Sequence, residues 1–364
     1  MKIIHFVPAL ESGGVEQVVR ELAEGLAAAG HENVVVSAGG RMVPVIEACG
    51  ARHIAMAVGR KSPRTLFLIP AVKRLLLRER PDVVHIHSRM PGWVAYLAWR
   101  TLPRDGRPRL VTSVHGFHSV NAYSAIVTKG DRVVAVSNAV REQVLRDYGR
   151  LDPARLRVIP NAIDPARHFP EFTPSAAWTE VWRREFPELV GKYTLCLAAR
   201  VTRGKGHAEL IPVLKSLRAK GIPAHAVFVG EAQRGKERLR DEIVSAFAAE
   251  GLSDAVTWTG QRSDLREIMA STDVTVSPSL QPEAFGKTVL EAIALGRPVA
   301  GYAHGGVAEI LGALLPEGRV QPRDTDALAS LLAAWHSAPP NPRPVGVPYR
   351  MADMIAAHIA AYSG

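Results

Sequence analysis

Residues 282–298, PEAFGKTVLEAIALGRP, follow the apolar run 273–279, DVTVSPS, and the two together read as strand, loop and helix. Lys287 to Leu295 is a strong helix former, stopped by Gly296 with Pro298 beyond. Gly286 stands where the backbone must turn or approach a ligand closely. The helix start therefore faces the loop. Its free N–H groups, with the positive end of the helix dipole, form an anion site suited to a phosphate or to polarised sugar hydroxyls. Glu283 lies beside that site and Glu291 about one helical turn in.

The same design recurs along the chain. Residues 2–9, KIIHFVPA, read as a buried parallel strand, and Glu11-Ser12-Gly13-Gly14 turns into an amphipathic helix over 15–29. Further strand and helix segments follow at 33–37, 66–80, 83–87, 93–100, 110–114, 132–136, 139–148 and 157–159. A second series opens with residues 193–200, YTLCLAAR, and the glycine loop Val201-Thr202-Arg203-Gly204-Lys205-Gly206. It continues through 207–219, 224–230, 234–250, 256–260, 264–271 and 299–302, whereas 165–192 read as irregular. Alternation of this kind predicts an α/β fold with two doubly wound, Rossmann-like domains facing across a cleft. The first spans residues 1–170 and the second 171–348, with a last helix over 349–362 after a proline-rich crossing.

Glu283 and Glu291, with Phe285-Gly286 between them and Gly296-Arg297-Pro298-Val299 after the helix, resemble the signature of retaining glycosyltransferases of family 4, the group 1 type, which have the GT-B fold. The resemblance implies that Glu283 contacts the donor sugar and Glu291 the ribose of the nucleotide. The backbone of Ala284, Phe285, Gly286, Lys287 and Thr288 would bind sugar and phosphate. It carries Gly13 and Gly14 across from the donor diphosphate, and places Arg200 and Lys205, in R-x4-K, on the donor phosphates. His115, at the end of strand 110–114, would point at the donor sugar and take part in catalysis, with His118 a nearby alternative. Gly260 and Gln261 would meet the nucleobase, and Gly305-Gly306 with Glu309 would shape the nucleotide end of the site. Asn161-Ala162-Ile163-Asp164-Pro165 resembles the family's exit into the interdomain linker, and the family's terminal helix, here 349–364, crosses back to the first domain. Lys287-Thr288 depart from the family pattern, in which aliphatic residues are commoner there.

Leaving a diphosphate requires positive charge where negative charge develops, and Arg200, Lys205 and a helix N-terminus supply it without a metal. Asp324-Thr325-Asp326 matches a metal-binding DxD but immediately precedes a helix, so it reads as an N-cap with a first-turn acid. His85 and His87 share one strand face; with no Cys, Asp or third His at recognisable spacing they read as core or cleft-lining groups. No metal and no cofactor is expected beyond a nucleotide-diphosphate sugar as co-substrate. Within the same fold, a sugar-nucleotide epimerase or a phosphorylase is the alternative. A glycoside hydrolase needs two carboxyls across one bond, and Glu291 inside the helix is badly placed for that.

The net charge of +10 is one-sided. Residues 1–170 hold 24 Lys and Arg against 14 Asp and Glu, while residues 171–364 hold 21 of each. Such a field attracts nucleic acid, anionic lipid or an acidic substrate. At 6% aromatic content, no interleaving of aromatic and basic residues marks a nucleic-acid surface. Residues 66–80, LFLIPAVKRLLLRER, read instead, apart from Pro70, as a leucine-rich helix with Lys73, Arg74, Arg78 and Arg80 on or beside its other face, preceded by Arg60, Lys61 and Arg64. That patch suits either a sheet-covering helix with solvated cations or docking on an anionic inner leaflet bearing a lipid-linked glycan acceptor. Pro8 and Ser12-Gly13-Gly14 interrupt any signal-like run, no stretch of about 18 apolar residues occurs, and Cys49 and Cys196 lie in apolar segments of different halves. A cytoplasmic enzyme, peripheral at the inner membrane face and acting in lipopolysaccharide or polysaccharide synthesis, is the expectation.

Overall fold

The computed structural model of the protein describes residues 1–11, 13–232 and 235–364. Ser12 of the first glycine turn and Arg234, the expected start of a helix, lie outside the described residues. The chain divides into two compact units, Met1–Ala162 with Val347–Gly364, and Ile163–Gly346.

In the first unit the strands are β1 (Lys2–Phe6), β2 (Glu32–Ser37), β3 (Ala51–Ala55), β4 (Val83–Ile86), β5 (Arg109–Val114), β6 (Arg132–Ala135) and β7 (Leu156–Val158). They pair in parallel in the order β3-β2-β1-β4-β5-β6-β7. Val34, Val35 and Val36 are all fully buried, as strands covered on both faces require. The crossovers carry helices α1 (Gly14–Ala28), α2 (Val43–Ala48), α3 (Ile69–Glu79), α4 (Arg89–Arg100) and α5 (Asn138–Asp147). The pair α2 and β3 goes unread in the sequence: β3 is a half-exposed edge strand, ARHIA, and α2 is a short helix with one buried residue, Ile46. Residues 66–80 are also not one helix. A 3₁₀ helix over Pro63–Leu68 precedes α3, and Pro70 sits in the first turn of α3, where its missing N–H leaves no hydrogen bond unmade.

The second unit holds β8 (Tyr193–Ala198), β9 (Ala224–Val229), β10 (Val256–Gly260), β11 (Val274–Ser277), β12 (Val299–Tyr302) and β13 (Arg319–Val320) in the parallel order β10-β9-β8-β11-β12-β13. Its helices are α6 (Ala176–Glu185), α7 (Leu210–Ala219), α8 (Glu237–Ala249), α9 (Leu265–Ser271), α10 (Lys287–Ala294), α11 (Gly305–Leu314) and α12 (Thr325–Ser337). Helix α6 corrects the irregular reading of 165–192. Ser175 caps it by accepting from the Trp178 N–H at 3.2 Å, and Trp178 and Trp182 stack at 5.3 Å between ring centroids. The Trp178 indole N–H also donates to Asp264 Oδ2 at 2.8 Å, so α6 is held by tertiary contacts that its local sequence does not announce. Residues from Ile163 onward belong to the second unit: the Arg266 guanidinium lies 4.0 Å from the Phe172 ring centroid and donates to the Arg167 carbonyl at 3.2 Å.

A final helix, α13 (Met351–Ser363), belongs to the first unit, where Met354, Ile355, Ala361 and Tyr362 share a core with Ile3, Val18, Leu22 and Leu26. Gly25, in the last turn of α1, permits that docking, because a Cβ built there collides with the Ile355 side chain. Helix propensity alone makes Gly25→Ala stabilising by about 1 kcal/mol. The contact with Ile355 is expected to reverse the sign, giving a loss of about 1–2 kcal/mol by overpacking, and an Ile355→Ala background should restore the gain. Denaturant titrations of the four variants decide it; a stabilised Gly25→Ala single variant would show that α13 does not press on α1 there.

Candidate active site

In the second unit, the loops after β8, β11 and β12 meet at the carboxyl edge of the sheet. After β8, Arg200 is exposed, and the following turn ends in Lys205. After β11, the loop runs through Pro278 and Ser279 to Glu283. Lys205 Nζ lies 2.9 Å from Glu283 Oε2, with both side chains partly exposed. The Ser279 hydroxyl donates to Glu283 Oε1, and His304, after β12, donates from Nε2 to the Ser279 carbonyl at 2.7 Å. The Glu283 backbone is fixed as well, since its carbonyl accepts from Gly306 N–H at 2.7 Å at the start of α11.

Gly286 then caps α10 with φ 102°, a left-handed conformation in which a Cβ would also come within 2.9 Å of Val307. Ala284, Lys287, Thr288 and Glu291 are half-buried around this turn, and Phe285 is buried. The first turn of α10 thus begins beside a carboxylate whose two oxygens are held by an ammonium and a hydroxyl. Such an arrangement can orient sugar hydroxyls and meet anionic charge. Ser279 and His304 escaped the sequence reading; the only cue was their place at strand ends.

At the ends of β9 and β10, Gly230 donates its N–H to the Gly260 carbonyl at 2.8 Å beside a pocket of about 590 Å³ lined by Glu231, Arg240, Trp258, Thr259 and Gly260 among others. Gln261 follows directly and is exposed. Asp324 caps α12, accepting from Ala327 N–H at 2.9 Å, and Asp326 lies in the first turn, as their spacing predicts. Gly305-Gly306 and Glu309 belong to α11.

In the first unit, Gly13 caps α1 and Gly14 opens it. His115 follows β5 and is half-buried, and burial lowers its pKa to about 3, so it is a neutral hydrogen-bonding group. The nearby His118 is also lowered, first by burial and then by Arg89. Its distance from a recognisable spacing hid a third histidine from the sequence reading: His5 of β1 lies with His85 and His87, the ligand nitrogens of all three within 4.8 Å of one another. The rings are buried and bonded. His85 contacts Tyr362 OH at 2.8 Å and Ser113 Oγ at 2.7 Å, while His87 contacts His5 at 3.0 Å and His115 at 3.1 Å.

On the surface of the first unit, Arg60, Lys61, Arg64 and Arg74 are exposed and Lys73 is half-buried. Arg78 is exposed and lies 3.0 Å from Glu79, a carboxylate that Lys2 and Arg52 share. Amid them Phe67 is 83% exposed and Leu66 40%, an apolar tip on the 3₁₀ turn. Among the described residues no helix is long and apolar enough to cross a membrane. Cys49 and Cys196 are free thiols; burial pushes Cys196 up to about 12.

Residues 12–167 match the family description Glycosyltransferase Family 4, and residues 179–345 match Glycosyl transferases group 1. A 2-deoxystreptamine N-acetyl-D-glucosaminyltransferase of Streptomyces fradiae is 26% identical over 352 residues, covering 87% of this chain and 80% of that protein. A D-inositol 3-phosphate glycosyltransferase of Arthrobacter sp. (strain FB24) is 25% identical, covering 83% and 76%. Among solved structures, a glycosyltransferase from Rickettsia africae has a TM-score of 0.81 at 26% identity, covering 99% of this chain and 92% of that one. Anabaena Alr3699/HepE, solved with UDP and glucose, has a TM-score of 0.83 at 19% identity, covering 100% of both chains. Matched in order by the two descriptions, and built from two Rossmann-like units as these neighbours are, the chain belongs to glycosyltransferase family 4 and has the GT-B fold.

Proposed function

We propose that the protein is a retaining, metal-independent transferase that moves a sugar from a nucleotide-diphosphate sugar to a hydroxyl of a glycan or lipid-linked acceptor. The observation that carries this reading is the Lys205–Glu283 pair at 2.9 Å beside the N-terminus of α10. Glu283 orients sugar hydroxyls. Lys205, Arg200 and the α10 N–H groups take the charge that gathers on the diphosphate as the anomeric C–O bond breaks. Gly260 and Gln261 meet the base, Glu291 the ribose, His115 the sugar, and Gly13 and Gly14 the diphosphate. The UDP and glucose found with Alr3699/HepE support a nucleotide-sugar donor of this kind.

The acceptor reading rests on the basic patch. Phe67 and Leu66, with Arg60, Lys61, Arg64 and Arg74 around them, suit an anionic bilayer: an apolar tip to insert and cations worth about 1 kcal/mol each at the surface. A soluble cyclitol acceptor is the second reading, favoured by the relatives named for 2-deoxystreptamine and D-inositol 3-phosphate.

Turnover of a panel of UDP-, GDP- and ADP-sugars in EDTA should reveal at least one donor. Activity that EDTA abolishes and magnesium or manganese restores would overturn metal independence. Glu283→Gln should lower turnover by roughly 10² or more while nucleoside-diphosphate affinity stays constant or tightens, because Lys205 is released from its partner. Lys205→Met should lower both, and the same loss of nucleotide affinity in the two variants would remove the division of roles. In flotation assays the protein should bind anionic liposomes, weaken with salt, and lose binding in Phe67→Ser and in Lys61→Gln/Arg64→Gln. Equal recovery with neutral and anionic vesicles would leave the soluble acceptor as the better reading.

A further inference from the structure

Adjacent strands bring four polar side chains into one line. Asn33 lies on β2, His5 on β1, His87 just past β4 and His115 just past β5. His5 Nε2 is 3.3 Å from Asn33 Oδ1, His5 Nδ1 is 3.0 Å from His87 Nε2, and His87 Nδ1 is 3.1 Å from His115 Nε2.

The direction of this line is set at its far end. Asn33 Nδ2 donates to the carbonyls of His31 at 3.1 Å and Ala23 at 3.4 Å. A turned amide would press its oxygen against both carbonyl oxygens, so Oδ1 faces His5 and His5 Nε2 carries a proton. Burial holds His5 near 4 and His87 well below its ordinary value, so each ring is neutral and has a single N–H. His5 Nδ1 is then a lone pair that accepts from His87 Nε2–H. By the same step His87 Nδ1 accepts from His115 Nε2–H, and the remaining lone pair is Nδ1 of His115. Among the described residues that atom has no hydrogen-bond partner. His85 stands beside the line, with both nitrogens committed to Tyr362 and Ser113.

We propose that Asn33, acting through His5 and His87, fixes His115 as its Nε2–H tautomer and presents the Nδ1 lone pair to a hydroxyl of the bound donor sugar. The tautomer is independent of the transferase reading; the sugar contact rests on it. Asn33, His5 and His87 are positioning residues, and none of them needs to touch substrate.

Nitrogen-15 histidine spectra of the full-length protein test the tautomer without any donor, with the His115 signals identified by their loss in His115→Phe. The wild type should show His115 with a protonated Nε2 and a bare Nδ1. Asn33→Leu and His5→Phe should each release the bias and give a mixture of both tautomers, with donor kcat/KM falling about twofold as the competent form drops toward half. Wild-type spectra showing Nδ1–H on His115 would overturn the proposal even if neither variant folds. So would stoichiometric zinc or another metal in the purified protein with the His5, His85 and His87 signals displaced, because the three rings would then be ligands and not a relay. If the tautomer is as stated but His115→Phe leaves the donor KM and kcat unchanged, the sugar contact is overturned and the relay stands.

Discussion

Parallel pairing is the constraint on which both units depend. Each strand must return through a crossover, so every strand of a sheet delivers its carboxyl end to the same edge. In the second unit the neighbours β8, β11 and β12 therefore bring together Lys205, Ser279, Glu283 and His304 from a hundred residues of chain. In the first unit the neighbours β1, β4 and β5 do the same for His5, His87 and His115. Neither grouping needs special folding chemistry. The strand order makes both.

That dependence explains what the sequence discloses. The Glu283 to Glu291 stretch is legible because its strand, turn and helix lie within one local segment, with Gly286 at the left-handed turn, and the Asp324 cap of α12 is legible for the same local reason. The third histidine was illegible. His5 is separated from His85 by some eighty residues and meets it only through the register of β1 on β4, in which the two are paired. Helix α6 was missed for a related reason: its stability comes from Trp178 and Trp182 reaching Asp264 and Arg262, not from propensity in 165–192.

The buried histidines show how a core tolerates polar rings. An unpaired buried donor or acceptor costs about 1–3 kcal/mol, and His207 in the second unit carries that cost, with both ring nitrogens unpartnered among the described residues and its ring stacked 5.9 Å from Trp258. His5 and His87 avoid it by bonding one another, Asn33 and His115. A saturated line of neutral rings has only two proton arrangements, and an asymmetric end group selects one of them. Packing alone would ask only for rings of suitable volume, and an apolar aromatic would serve.

The Lys205–Glu283 pair obeys a different rule. Both partners are partly exposed, and such pairs contribute about 0–1 kcal/mol. A bond of that strength orders two side chains without trapping them. Replacing it by a phosphate on the ammonium and a hydroxyl on the carboxylate exchanges one set of charge-assisted contacts for another at little net expense. The Ser279 hydroxyl, on a backbone fixed by the His304 contact, holds the other oxygen of Glu283 independently of Lys205. Breaking a buried pair by removing one partner costs about 3–5 kcal/mol, so the partial exposure of this pair is what the proposed donor contacts of Lys205 and Glu283 require.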